Sequence, residues 1–168
     1  YGDLYIGTQI QLFKNHEVWP DVLISINLRT ASGNEFGSAR FADSPGYYFL
    51  LSSGKSIPLN TKAFTSLRFY GMLGFYAWQT NLAGHFQDDA VIYGFGIKLD
   101  SKHFSVSTDL DGFSGYLKNG DRPLVYRFRA LTSMDSNINY GLQFEHGIVD
   151  YNFRSLRFSF IYSIESDK

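Results

Sequence analysis

Residues 138–145 decide the fold, and they read Ile-Asn-Tyr-Gly-Leu-Gln-Phe-Glu. Apolar side chains fill every even position of this stretch, and polar or small residues fill every odd one. Successive side chains of a β-strand point to opposite faces of its sheet, so a period of two is typical of a strand with one apolar face. An amphipathic helix repeats its apolar positions every three to four residues, and that period is not found here.

The same alternation recurs along the whole chain. It is clear again at the end of the sequence, where Leu156, Phe158 and Phe160 alternate with serine and arginine. Strands joined in sequence by turns predict an all-β, antiparallel, up-and-down sheet. The predicted strands lie near residues 3–14, 21–30, 46–57, 64–79, 89–100, 103–112, 122–133, 138–147 and 154–165.

The composition bounds the possible functions. The 168 residues carry a formal net charge of −1, which provides no electrostatic attraction for nucleic acid. There is no cysteine, so neither a disulfide framework nor a thiolate metal site can form. The four histidines are scattered without a carboxylate at ligand spacing. We therefore expect no metal and no cofactor.

The polar face of the strands distinguishes a membrane barrel from a soluble one. A solvent-exposed sheet face is normally rich in Lys, Glu and Thr, whereas this one is Gly, Ser, Asn, Gln, Tyr, Asp and Arg, with few exceptions such as Lys98. Strands of about ten residues cross a bilayer when tilted, while the longest apolar runs are too short for a membrane helix. The sequence therefore predicts one transmembrane β-barrel domain over residues 1–168, with polar side chains inside.

Loop lengths predict the orientation of this barrel. Short turns are predicted near residues 15–20, 58–63, 100–103 and 133–137, and longer loops near 31–45, 80–88, 112–121 and 147–153. Outer-membrane barrels have short periplasmic turns and longer external loops. They also have even strand numbers, so nine visible strands predict an absent N-terminal strand, or three, and a complete barrel of ten or twelve.

The predicted hairpins place the chain's densest polar cluster on the inner face of the last four strands. They set Asp109 opposite Arg127, Arg127 near Gln143, and Gln143 near Arg157. Buried charges need partners, so this cluster is interpreted first as a ladder of ion pairs in a narrow lumen and second as a selectivity patch. Its members are Asp109, Asp111, Arg127, Arg129, Gln143, Glu145 and Arg157.

Catalytic interpretations are weaker, and no catalytic residue is assigned. Asp109 and Asp111 point inward like the carboxylates of outer-membrane proteases, but no histidine is suitably placed to activate water with them. His146 has the parity of the lipid-facing side chains, and His85 is predicted in a loop. Gly94 and Gly96 are interpreted as relieving crowding on the inner face, not as a phosphate loop.

Several stretches resemble known proteins. The run from Trp19-Pro20-Asp21-Val22 through Ala31-Ser32-Gly33, then Ser44-Pro45-Gly46, resembles uncharacterised outer-membrane barrels of Bacteroides-type bacteria. This resemblance implies a fold and a location but no activity. The final hairpin, Asp150-Tyr151-Asn152-Phe153 with Arg157, resembles that of outer-membrane phospholipase A. The catalytic His-x-Ser-Asn-Gly pattern of that family is missing, because His103-Phe104-Ser105 lacks the continuation.

The sequence thus predicts a non-enzymatic outer-membrane barrel of a Gram-negative envelope. It is either a small, porin-like channel or a structural subunit of an outer-membrane complex, with membrane lipids and other protein subunits as partners. Two alternatives stay open. One is an outer-membrane hydrolase acting on lipid or peptide, and the other is a soluble, lipocalin-like carrier with its apolar residues inside.

Overall fold

The computed structural model describes residues 4–32, 45–59, 61–82, 84–115, 122–132, 138–150 and 152–162. Within these residues no helix is long and apolar enough to cross a bilayer. The described chain forms strands β1 Tyr5–Phe13, β2 Asp21–Arg29, β3 Gly46–Pro58, β4 Ser66–Leu82, β5 His85–Asp100, β6 Phe104–Gly115, β7 Leu124–Thr132, β8 Ile138–Val149 and β9 Arg154–Tyr162.

The strands form a single antiparallel sheet in which spatial order follows chain order from β1 to β9. This confirms the predicted all-β, up-and-down fold. The sheet is not closed, and β1 and β9 are its edge strands. Closure into a barrel therefore stays a prediction.

The chain divides into two compact units, and each contains parts of β3, β4, β5 and β6. Unit 1 comprises Tyr1–Ser53, Gly71–Tyr93 and Gly112–Arg122, and unit 2 comprises Gly54–Tyr70, Gly94–Asp111 and Pro123–Lys168. The interpretation of residues 1–168 as one domain stays a prediction.

The two faces of the strands differ in burial in the direction opposite to that of a soluble protein. In β2, Ser25 and Arg29 are buried while Ile26 and Leu28 are exposed. In β5, Phe95 is 64% exposed beside the buried Gly96. Among the described residues, the buried apolar side chains are Ala77, Trp78 and Ala90. The apolar face is therefore the more exposed one, and polar or small residues lie on the more buried face.

Backbone pairing sets which polar side chains are neighbours. In the β7–β8 pair, Arg127 lies opposite Glu145 and Arg129 lies opposite Gln143. In the β8–β9 pair, Gln143 lies opposite Arg157. Because side chains alternate between faces, these opposed polar residues share one face of the sheet.

Two of the predicted long loops are wrong. β4 ends at Leu82 and β5 begins at His85, which leaves only residues 83 and 84 between them. Gly84 has φ +83°, the left-handed conformation that tight hairpins require and that glycine adopts without steric cost. The polar residues after His85 had predicted a loop, but they pair within the strand, and Asp88 is buried.

The β8–β9 connection is also short, because β8 extends to Val149 and β9 begins at Arg154. Asp150 has φ +61°, a conformation that Asp and Asn adopt more readily than most residues. The predicted alternation of short and long loops is thus only partly present. The orientation that it predicted in the membrane stays a prediction.

Candidate functional site

Strands β6, β7 and β8 of unit 2 bring together most of the predicted polar cluster on one face. We call this set, with two further residues that bond to it, the polar network. It consists of Tyr70, Asp109, Asp111, Arg127, Arg129, Gln143, Glu145 and Ser155.

Arg127 is the centre of the polar network. Its Nε donates to Glu145 Oε1 at 2.8 Å, and its Nη1 lies 3.7 Å from Asp109 Oδ2. The same Nη1 pairs with Asp111. The side chain is 24% exposed, so three carboxylates share one largely buried guanidinium. Such pairs are charge-assisted and stronger than neutral hydrogen bonds.

Asp109 is the most buried carboxylate of the polar network, with 8% of its surface exposed. Its Oδ1 accepts from Arg129 Nη1 at 3.0 Å and from the Tyr70 hydroxyl at 3.1 Å. Tyr70 is on β4 and Asp109 on β6, so the ring spans β5 at Gly96. A Cβ atom at Gly96 would collide with the Tyr70 ring. This confirms that Gly96 relieves crowding on the polar face.

Glu145 has both carboxylate oxygens bonded. Oε1 accepts from Arg127 and from Gln143 Nε2 at 2.8 Å, and Oε2 accepts from the Ser155 hydroxyl at 3.0 Å. The amide oxygen of Gln143 in turn accepts from Arg129 Nε at 3.2 Å. Gln143 therefore connects the second arginine to the same carboxylate that the first arginine binds.

The predicted pairing across β7 and β8 was wrong by two residues. Arg127 was expected near Gln143, but it lies opposite Glu145, and Gln143 lies opposite Arg129. A shift of two keeps every side chain on its face, so the membership of the cluster survives the error.

The expected neighbourhood of Gln143 and Arg157 is confirmed by the β8–β9 register. Arg157 is nevertheless not part of the polar network. It lies on the edge strand β9 and is exposed. Among the described residues, its guanidinium makes no hydrogen bond or ion pair.

The charged side chains of the polar network are held in place by one another. Three carboxylates and two guanidiniums hold one another, and the neutral groups of Tyr70, Gln143 and Ser155 supply the remaining bonds. Such an arrangement can stiffen a sheet and present alternating charge to water, ions or a polar solute. A general base needs an acceptor free to take a proton, and in the polar network each carboxylate is held by an arginine.

The described histidines lie outside the polar network. The His16 Nδ1 accepts from the backbone N–H groups of Val18 and Trp19 at 3.2 and 3.1 Å, in the β1–β2 connection. The His146 Nδ1 lies 3.4 Å from the Phe153 carbonyl oxygen. Over the part of the chain that the structure describes, no group of three His, Asp or Glu side chains is arranged to hold a metal ion.

Tyr70 and Ser155 were not predicted as partners of the network. Their parity placed them on the polar face, but only the register shows that they reach Asp109 and Glu145. For Tyr70 the available signal was Gly96, since a glycine on the intervening strand leaves room for a ring to cross.

An aromatic cluster in unit 1 was also missed. Tyr76 and Trp78 have ring centroids 4.7 Å apart, and Phe113 lies against both, at 6.5 and 6.1 Å. The Arg29 guanidinium carbon lies 6.0 Å from the Tyr76 ring centroid. Trp78 Nε1 is buried with no hydrogen-bond partner among the described residues. The shared parity of Tyr76 and Trp78 on β4 was the signal for this cluster.

No protein-family model, curated protein or solved structure matches this chain. The resemblance to outer-membrane barrels of Bacteroides-type bacteria, and that of the last hairpin to outer-membrane phospholipase A, therefore stay predictions.

Proposed function

We propose that this chain is a non-enzymatic β-barrel protein of a bacterial outer membrane. The single observation that carries the proposal is the inverted burial of the sheet. Phe95 and Phe158 are 64% and 77% exposed, whereas Asp109 is 8% exposed. In water, an exposed apolar face of this kind drives aggregation. In hydrocarbon it is the favourable arrangement, since the polar groups then lie away from lipid.

The ends of the strands support the same proposal. Trp19, Phe13 and Tyr162 are exposed beside or at the ends of β1, β2 and β9. Aromatic side chains concentrate where a bilayer meets water, because they combine an apolar ring with a polar edge. These residues therefore suit the interfacial girdle of a membrane barrel.

Barrel closure is part of the proposal. Because neighbouring strands are antiparallel, β1 and β9 run in the same direction along the sheet. An antiparallel seal between them takes an odd number of further strands, and one or three give a barrel of ten or twelve. A barrel of this size has a narrow interior lined by polar side chains.

The polar network favours a barrel with a narrow, charged interior. In this proposal it serves as the wall of a small channel whose alternating charges contact the permeating solute. Because every carboxylate of the polar network is already bonded, the network also favours a second role, that of a rigid structural subunit in an envelope assembly. The two roles differ in whether water and ions pass along the network.

Detergent dependence tests the proposal directly. The purified chain should be monodisperse in detergent micelles, aggregate when the detergent is removed, and stay in vesicles through an alkaline wash. A chain that is monodisperse in plain buffer would instead be a soluble carrier of the lipocalin-like kind.

Planar-bilayer recordings distinguish the two roles. A channel should give discrete conductance steps, and D109N/R129M should change their size or ion preference because it removes one charge of each sign. A structural subunit should insert without conductance and should be recovered with other envelope proteins. Hydrolysis of phospholipid or peptide by the reconstituted protein, abolished by D109N, would favour the hydrolase instead.

A further inference from the structure

A groove of about 660 Å³ lies in unit 1 at the ends of β2, β3, β4 and β5. Its apolar part is formed by Leu28, Tyr47 and Ala77, of which Leu28 and Tyr47 are each about half exposed. Thr30, Gln79 and Gln87 line its polar part. The volume is within the range of small-molecule sites, about 300–1,000 Å³.

These six side chains share the apolar face of the sheet. Gln79 and Ala77 have the parity of the exposed Phe69 and Leu73 on β4, and Gln87 has that of Phe95 on β5. Because alternate residues of a strand share a face, these six side chains open the groove onto the apolar face, while Arg29 and Trp78 of the opposite face line its base. A ligand in it would approach from the side that we assign to lipid.

The polar side chains of Thr30, Gln79 and Gln87 that line the groove are neutral, and the nearest described charge on their face is the Asp89 carboxylate that Gln87 binds. Among the described residues the Gln79 amide has no hydrogen-bond partner, which leaves two donors and an acceptor. The Gln87 Nε2 donates to Asp89 at 2.8 Å, which leaves its carbonyl oxygen as an acceptor. Arg29 also borders the groove, but its guanidinium lies over Tyr76 on the opposite face. The groove therefore offers amides, not a cation, to a headgroup, since the Thr30 hydroxyl already donates to the Leu4 carbonyl oxygen.

We infer that this groove binds one membrane lipid with an uncharged, hydroxyl-bearing headgroup. The first methylenes of its acyl chain pack on Leu28 and Tyr47, and its hydroxyl groups bond to Gln79 and Gln87. The groove is continuous with the apolar face, so the acyl chain of the lipid can extend from it into the bilayer. Among the described lining residues the one cation is Arg29, and because its guanidinium lies over Tyr76 on the opposite face, it does not favour a phosphate in the groove. This inference rests on the proposed membrane location.

Photolabelling tests the inference with the protein reconstituted in phosphatidylcholine nanodiscs. The probe is an alkyl glucoside with a diazirine on its first methylenes, and a phosphocholine of the same chain is the matched comparison. The glucoside should label the peptides around Leu28 and Tyr47 preferentially. Q79L/Q87L should reduce that labelling about tenfold, the effect expected when two hydrogen bonds are lost. T8L, a polar-to-leucine change elsewhere on the apolar face, should leave it unchanged.

Labelling around Phe158 separates the two ways of failing. If Phe158 is labelled by both probes while the groove shows no preference for glucoside, or no response to Q79L/Q87L, the groove inference is wrong and the membrane location stands. If neither region is labelled in nanodiscs, the chain does not face lipid, and both proposals are overturned. Equal labelling of the groove by the phosphocholine probe would contradict recognition of a neutral headgroup.

Discussion

At the residue scale, the central feature is that one arginine holds three carboxylates. Arg127 is bonded to Glu145 and paired with Asp109 and Asp111. Asp109 has further bonds from Arg129 and Tyr70, and Glu145 has further bonds from Gln143 and Ser155. Among the described contacts, Asp111 depends on Arg127 alone. Losing Arg127 therefore leaves Asp111 without a charge partner.

We predict that Arg127→Met lowers the free energy of unfolding by about 2–4 kcal/mol, because breaking a buried pair leaves an uncompensated charge. Adding Asp111→Asn should recover part of this loss, since the stranded carboxylate is removed. Arg157→Met is the matched control, because Arg157 is on the same face but has no described partner, and it should cost less than about 0.5 kcal/mol. Urea unfolding in vesicles measures all three. Equal losses for Arg127→Met and Arg157→Met would contradict the polar network.

Membership of the polar network could be predicted from the sequence, but its bonds could not. Parity alone places Asp109, Arg127 and Gln143 on one face, and parity is insensitive to an even register shift. Which carboxylate each arginine meets depends on where β7 and β8 end and on the register of their pairing. The sequence carries no local mark of either, so the partner of Arg127 was predicted two residues away from Glu145.

At the element scale, the β4–β5 hairpin was the least predictable part of the fold. Gln87, Asp88 and Asp89 in succession are typical of a loop, because strands seldom carry two adjacent carboxylates. In the structure Asp89 N donates to Asp88 Oδ1 at 2.9 Å, and the Asp88 side chain is buried within β5. Tertiary contacts thus override local propensity here. Where alternation is regular, as in β8, the predicted start at residue 138 is confirmed.

The tight β4–β5 connection gives a prediction about Gly84. Its φ of +83° is unfavourable for a β-branched residue, so Gly84→Val should lower the free energy of unfolding by about 1–2 kcal/mol. Gly84→Asn should cost less, because Asn visits the left-handed region more readily. The midpoints of urea unfolding of the two variants provide the comparison. If Val and Asn proved equally tolerated, the connection would not be the two-residue turn described here.

At the scale of the whole molecule, the alternation in sequence predicted the fold class because each face of a sheet needs one environment. The composition of the polar face then predicted which face would contact lipid, and in β5 and β9 the apolar side chains Phe95, Phe158 and Phe160 are on the more exposed face. Closure could not be derived in the same way. The pairing of β1 or β9 with another strand depends on backbone groups, which every sequence presents alike.

The lipid-facing assignment predicts a cost that depends on depth in the bilayer. Phe95→Arg, in the body of β5, should make the free energy of folding into bilayers less favourable by about 2–4 kcal/mol, whereas Val18→Arg, in the β1–β2 connection, should cost about 0–1 kcal/mol. Phe95→Leu serves as the control for lost ring contacts. Folding titrations in vesicles measure the three variants. A Phe95→Arg protein as stable as Val18→Arg would place Phe95 outside the hydrocarbon.

Two adjacent residues on opposite faces of β9 test whether the apolar face of the sheet contacts lipid. The chain has no cysteine, so Phe158→Cys and Ser159→Cys each accept a single nitroxide label. In vesicles, the label at residue 158 should collide frequently with oxygen, which concentrates in hydrocarbon, and rarely with a water-soluble nickel chelate. The label at residue 159 should show the reverse preference. If the label at residue 158 collides with the nickel chelate as often as the label at residue 159 does, the apolar face does not contact lipid and the proposed membrane location is wrong.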